Sequence, residues 1–202
     1  MASEDTYLTI ASPAEEGSRE RSSKFLAFAY PVESEAEIKG HLEVLKKRYY
    51  DATHHCYAWR MGYDGLQSRS NDDGEPSGTA GRPILGQILS AGLTNVLVVV
   101  VRYFGGTKLG VPGLIKAYKE AAEGVLALSR IEERTVETII EAGFPFERIG
   151  QAMKVVKETQ ARVVEQSMDN MCRMTLAIRR SQAGNLQGKL EKGGISVEVK
   201  KQ

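Results

Sequence analysis

Cysteine is scarce: the 202 residues include only Cys56 and Cys172, far apart, each within an apolar, strand-like run. No C-x-x-C spacing occurs. This excludes a disulfide framework and the common zinc and dithiol-redox motifs, and reads as two reduced, buried thiols of a reducing compartment. Long apolar runs are missing as well. The longest, Val96–Val101, is far too short to span a bilayer, and Met1–Ser12 carries Glu4 and Asp5 with no apolar segment of signal-peptide length. The expectation is a cytoplasmic protein with no membrane contact. Charge of one sign is not in excess either: 27 Lys+Arg face 26 Asp+Glu, a net +1. No global cationic surplus argues for nucleic acid, although a local patch would suffice for binding. Residues 133–202 tilt slightly basic, with 12 Lys+Arg against 9 Asp+Glu, whereas residues 1–132 carry 15 against 17. Low-complexity segments and long internal repeats are absent.

What is present is the composition of a folded protein, 42% hydrophobic and 26% charged. The length suits one large domain or two small ones. Thr6–Ala11 and the alternating, aromatic Lys24–Val32 are expected strands, with the polar stretch Glu15–Ser23 between them a turn or hairpin arm. Ser34 and Glu37 form a capping-box signal, and Ile38, Leu42, Leu45 and Tyr49 follow at helical spacing over 35–50. His54–Met61 is an expected strand and Gly62–Gly78 a long loop. Thr79–Ala91 is an expected helix, with Thr79 or Ser77 as its cap. The four consecutive valines Val98–Val101 within Asn95–Phe104 predict a central strand buried on both faces. A glycine turn, Gly105–Gly113, leads to a helix over 114–129.

Residues 130–134 (Arg-Ile-Glu-Glu-Arg) are a charged junction, placing a boundary between domains 1–132 and 133–202. Beyond it the expected order is strand 135–142, helix 145–159 opened by Pro145, strands 161–168 and 171–179 around an Asp169-Asn170 turn, helix 181–192 and strand 195–200. That is βαββαβ, the ferredoxin-like order.

Two stretches could carry chemistry. Asp72, Asp73 and Glu75 put three carboxylates within four residues of one loop, a set that could hold a divalent cation through oxygen, though not at EF-hand spacing. In the second, Arg102, Tyr103, Gly105, Gly106, Lys108 and Gly110 lie on a strand–turn–helix passage, where helix N-terminal amides and nearby cations could meet an anion. The glycines match neither a Walker A loop nor G-x-G-x-x-G. His54 and His55 point to opposite faces of their strand and cannot easily share a metal. Asp51 is a candidate neighbour of His54. Tyr57, Trp59, Tyr103 and Phe104 could stack on bases, with core packing the better reading of Trp59. No nucleophile elbow occurs. Neither a catalytic residue, a resident metal nor a cofactor is expected.

The segments Asp51–Arg60, Asp72–Leu85 and Val98–Tyr118 closely resemble, in order, the signatures of the IMPACT family, and the size suits its bacterial two-domain members. The resemblance implies an α+β fold. The N-terminal domain would be a β-α layer similar to the second domain of a small-subunit ribosomal protein, and the C-terminal domain a ferredoxin-like module similar to one of elongation factor G. It groups Asp72, Asp73, Gly74, Glu75, Pro76, Gly78, Thr79 and Gly81 on one loop, with His54 nearby. Arg102, Tyr103, Gly105, Gly106, Leu109, Gly110 and Gly113 fall on the other. Eukaryotic relatives restrain a starvation response by binding a ribosome-associated activator of a kinase that acts on an initiation factor. They carry a different extra domain, so that partner does not transfer. What the resemblance implies here is a non-enzymatic regulator linked to translation and stress, binding RNA, the ribosome or translation-associated proteins. A metal-assisted hydrolase using the Asp72–Glu75 loop and a protein-only adaptor are the alternatives. Oligomeric state is not legible.

Overall fold

The computed structural model of the protein describes residues 5–169 and 171–200. The chain divides into two compact units, Tyr7–Arg134 and the segment from Thr135 onward, the second also taking in Asp5 and Thr6. Asp5 belongs there because its carboxylate accepts from the Ser181 amide at 2.7 Å and from the Ser181 hydroxyl.

The first unit is built on an antiparallel five-stranded sheet. Its strands are β2 (Ala14–Glu20), β3 (Ser23–Pro31), β4 (His54–Met61), β5 (Gln67–Asn71) and β6 (Val96–Tyr103), in the order β2-β3-β6-β4-β5. Residues 96–101 of β6 are all fully buried, as the valine run predicts for a strand covered on both sides. Val96, Val98 and Val100 meet α2 (Gly81–Ser90) and α3 (Gly110–Leu128), whereas Leu97, Val99 and Val101 meet α1 (Glu35–Arg48). Each such side chain contributes roughly 1.5–3 kcal/mol on burial. The same alternation sends Cys56 and Ala58 to the α2–α3 side, and Tyr57, Trp59 and Met61 to the α1 side. A two-stranded sheet pairs β1 (Thr6–Ile10) with β7 (Ile131–Thr135), so the charged junction is itself strand.

Helix α1 starts as its sequence dictates: the Ser34 hydroxyl accepts from the Glu37 amide at 3.3 Å. The return bond of Glu37 goes to the amide of Glu33, one residue earlier than a standard capping box. Three other stretches depart from expectation. The span 62–78 is not all loop, because 67–71 pairs with β4 as edge strand β5. Helix α3 begins four residues before 114, taking in the end of the glycine stretch. Pro145 ends a strand instead of opening a helix.

The second unit runs β8 (Glu137–Pro145), α4 (Ile149–Thr159), β9 (Arg162–Ser167), β10 (Met171–Arg179), α5 (Ala183–Lys192) and β11 (Ser196–Lys200), with a 3₁₀ turn before each helix. Its antiparallel sheet has the order β11-β8-β10-β9. This is the 4-1-3-2 arrangement of the ferredoxin-like fold. Phe144, Met174, Leu176 and Ile140 face Ala152, Val156, Leu186 and Leu190 of the two helices across its core. The Asn170 half of the expected turn lies outside the described residues. The chain is thus α+β, as its order of elements and its resemblance imply.

Candidate functional site

Strand parity determines what can meet at the end of the first sheet. His54 and Arg102 are cross-strand partners in β4 and β6, so both point to the α2–α3 side. The loop at 72–79 folds over that side and places Glu75 between them. Glu75 Oε1 accepts from Arg102 Nη1 at 2.5 Å and from the Tyr118 hydroxyl at 2.8 Å, and lies 3.8 Å from His54 Nε2. The Glu75 and Arg102 side chains are only 4% and 5% exposed. Arg102 Nη2 also donates to Ser23 Oγ at 3.2 Å, and its guanidinium lies over Phe25 and Phe104, 5.5 and 5.6 Å from the ring centres. The ion pair therefore joins loop 72–79, strand β6 and helix α3 at a point closed to solvent.

Tyr118 and Cys56 complete the buried group. Burial, with Cys56 and Glu75 beside it, raises the Tyr118 phenol well above its ordinary value, so it stays a donor. Burial likewise pushes the Cys56 thiol up to about 12. Its sulfur sits 3.0 Å from the Asp72 carbonyl oxygen and 3.3 Å from the Tyr118 hydroxyl, as an unreactive thiol.

The three carboxylates of the loop point in three directions. Asp72 accepts from the amides of Gly78, Ala80 and Gly81 at 2.8, 3.0 and 2.8 Å. It is the cap of α2, supplied from eight residues upstream, which corrects the expected cap at Thr79 or Ser77: Thr79 Oγ1 donates to the Pro76 carbonyl instead. The first amides of this helix, those of Ala80 and Gly81, are thus already occupied. Asp73 turns to the α1 side, accepting from the His55 amide at 2.6 Å, with Lys46 at 3.9 Å. Among the described residues, no three His, Cys, Asp or Glu side chains are placed to share a metal ion.

The second stretch divides in the same way. Arg102 is not the accessible cation of the sequence reading, because it is buried and matched by Glu75. Tyr103 points to the opposite face, where its hydroxyl donates to Asp51 at 2.8 Å, so Asp51 serves Tyr103 and not His54. His54 instead has Nδ1 2.8 Å from the Asp73 carbonyl oxygen. Gly105, Gly106, Lys108 and Gly110 remain on an exposed turn, with Phe104 beside them 47% exposed. Of the four aromatics that could stack on bases, Phe104 alone lies in this exposed turn. The sequence reading missed Tyr118 and Ser23. Tyr118 shares an apolar helical stripe with Leu114 and Ala121, which signals core and conceals the hydroxyl's task.

Two groups tie stability to pH. Burial alone would raise the Asp72 carboxyl, but the amides of Gly78, Gly81 and Ala80, with Arg82 nearby, outweigh it and hold the carboxyl below its usual 3.8. Burial depresses the His55 imidazole below 6.5, against the opposing pull of Asp73. Both folded values are lowered, so both contributions are complete above the unfolded values and fade as pH falls. Thermal stability should fall first below 6.5 and again below 3.8. His55→Gln should flatten the first stage and Asp72→Asn the second, and unchanged profiles in both variants would remove these groups from the account.

Comparison with known proteins follows the same division. The Impact N-terminal domain family matches residues 21–126, the part holding all the site residues above. An IMPACT family member from Thermus thermophilus is 39% identical, over 77% of this chain and 84% of that protein. A solved structure described as that of a hypothetical protein is 25% identical, covers 98% of both chains and superposes with a TM-score of 0.75. The two-domain translational regulator Yih1 is 31% identical over 60% of this chain and 46% of its own, with a TM-score of 0.36, too low for structural argument. No helix among the described residues is long and apolar enough to cross a membrane. With its N-terminal half matched and a relative aligned over most of both lengths, the chain belongs to the IMPACT family.

Proposed function

We propose that this chain is a non-enzymatic regulator linked to translation, binding RNA, and ribosomal RNA first of all, through the turn at 104–110 beside the loop at 72–81. Family membership supports the translation-related regulatory role. The observation that carries the binding surface is the buried Glu75–Arg102 pair: it fixes loop and turn together while leaving the turn and Lys108 exposed. Backbone amides and a nearby lysine recognise phosphate without reading sequence. The hydrolase reading has less support, because Asp72, Asp73 and Glu75 are each held by an internal partner and converge on no common point.

Ribosome co-sedimentation and a gel shift with a single-stranded RNA test this. Lys108 is exposed, so Lys108→Glu should leave the thermal midpoint unchanged. It should weaken binding and lower the salt slope by about one. Equal binding by wild type and variant at every salt concentration would refute the site. Capture of partner proteins that survives nuclease treatment would point to the adaptor reading instead.

A further inference from the structure

The ferredoxin-like unit has a face that the reading above does not use. Helices α4 and α5 pack on one side of its sheet. On the other side, strand register places Glu198, Glu141, Thr175 and Glu165 in one row across all four strands. Side chains directly opposite in neighbouring strands stand about 5 Å apart, and like charges there destabilise the sheet. Glu198 and Glu141 are such a pair. Lys200 forms an ion pair with Glu141. The adjoining row on one side contributes Arg173, between Gly143 and Ser167, and that on the other contributes Lys200 and Arg162, the latter ion-paired with Glu137.

The row forms the floor of a concavity of about 1620 Å³, which Glu147 and Asp169 also line. Among the described residues, five carboxylates and one cation, Arg173, line this space, with Lys200 paired to Glu141 beside it. At its rim stand Met171, Phe146 and Met168, 60%, 57% and 40% exposed. Exposed methionines are costly to leave in water and adapt readily to a partner's shape. The combination of an acidic floor and a soft apolar rim has a definite complement.

We propose that this sheet face docks a cationic amphipathic segment of a partner protein. Its Lys and Arg side chains lie over the Glu198–Glu141–Glu165 row, and its apolar face rests on Met171, Met168 and Phe146. RNA is the wrong ligand here. The carboxylate row repels phosphate, and the strands present Glu, Thr, Arg and Ser where a base-stacking sheet needs aromatic rings. The proposal concerns a different unit from the turn at 104–110 and does not rest on the function proposed for that turn.

The test is fluorescence anisotropy on the full chain, with a labelled helical leucine–lysine peptide as probe. A leucine–glutamate peptide and a single-stranded RNA serve as comparisons. The leucine–lysine peptide should bind, and the leucine–glutamate peptide should not. Glu165→Lys combined with Glu198→Lys should weaken binding by about tenfold or more, and Met171→Asp should also weaken it. Lys108→Glu should leave it unchanged. A thermal melt checks that each variant folds. If charge reversal prevents folding, Glu165→Gln with Glu198→Gln makes the same comparison with a smaller loss. Binding of the leucine–lysine peptide that is indifferent to both the glutamate and the methionine changes would overturn the proposal. So would RNA that displaces the peptide and itself depends on Met171.

Discussion

Arg102→Ala and Glu75→Ala should each destabilise the first unit by about 3–5 kcal/mol, because each leaves a charge buried without its partner. The two side chains are almost wholly closed to water, so solvent cannot replace the lost contact. Arg102→Ala also removes the donor to Ser23 and the cation over Phe25 and Phe104. Glu75→Ala leaves the Tyr118 hydroxyl without its acceptor. Replacing both members, Glu75→Leu with Arg102→Met, should recover much of the loss, since a buried pair and an apolar substitute of similar volume differ little in net stability. Adding Tyr118→Phe should recover more, by removing the stranded donor. Urea unfolding of the singles, the double and the triple measures the coupling directly. If the single variants stay within about 1 kcal/mol of wild type, the pair does not clamp loop to strand. If they unfold the unit while the apolar triple folds but loses RNA binding, the clamp holds the surface and not only the fold.

The same group of residues shows where the sequence is informative. The valine run predicts a strand covered on both sides, and the alternating β4 assigns His54 and His55 to opposite faces; both follow from local geometry alone. The βαββαβ order of the second unit is legible because each element carries its own periodicity. The pairing of Glu75 with Arg102 is not, because 27 residues separate them and no period links a loop carboxylate to a strand guanidinium. The helix cap escapes local rules for a related reason. Local rules look for a cap one residue before the helix, whereas Asp72 reaches the amides of Ala80 and Gly81 because the loop folds back. Strand β5 is not legible because Gln67–Asn71 is polar throughout; pairing with β4 makes it a strand, not burial. The acid-rich loop looked like a cation site because sequence shows the number of carboxylates and not their directions.

Gly105 and Gly106, adjacent in the exposed turn, look alike in sequence, yet they should respond differently to substitution. At Gly105 a β-carbon would lie 1.9 Å from the Ser22 carbonyl oxygen and 2.0 Å from its carbon. Those are backbone atoms at the β2–β3 hairpin, so no side-chain rotation relieves the clash. The hairpin tip or the turn must move, and with it Ser23, which serves both Arg102 and the Gly105 amide. Gly105→Ala should therefore cost about 3 kcal/mol, the upper part of the range for overpacking. Gly106 has φ +85° and open space around its missing β-carbon. Gly106→Ala meets only the left-handed backbone penalty, about 1 kcal/mol. Thermal unfolding of the two variants gives the comparison, and equal losses would mean that the turn does not pack on the hairpin as described. The functional consequence follows the same split. Gly106→Ala should leave the position of Lys108, and hence RNA binding, nearly intact. Gly105→Ala should weaken binding even at temperatures where the protein remains folded, because the turn depends on the hairpin beneath it.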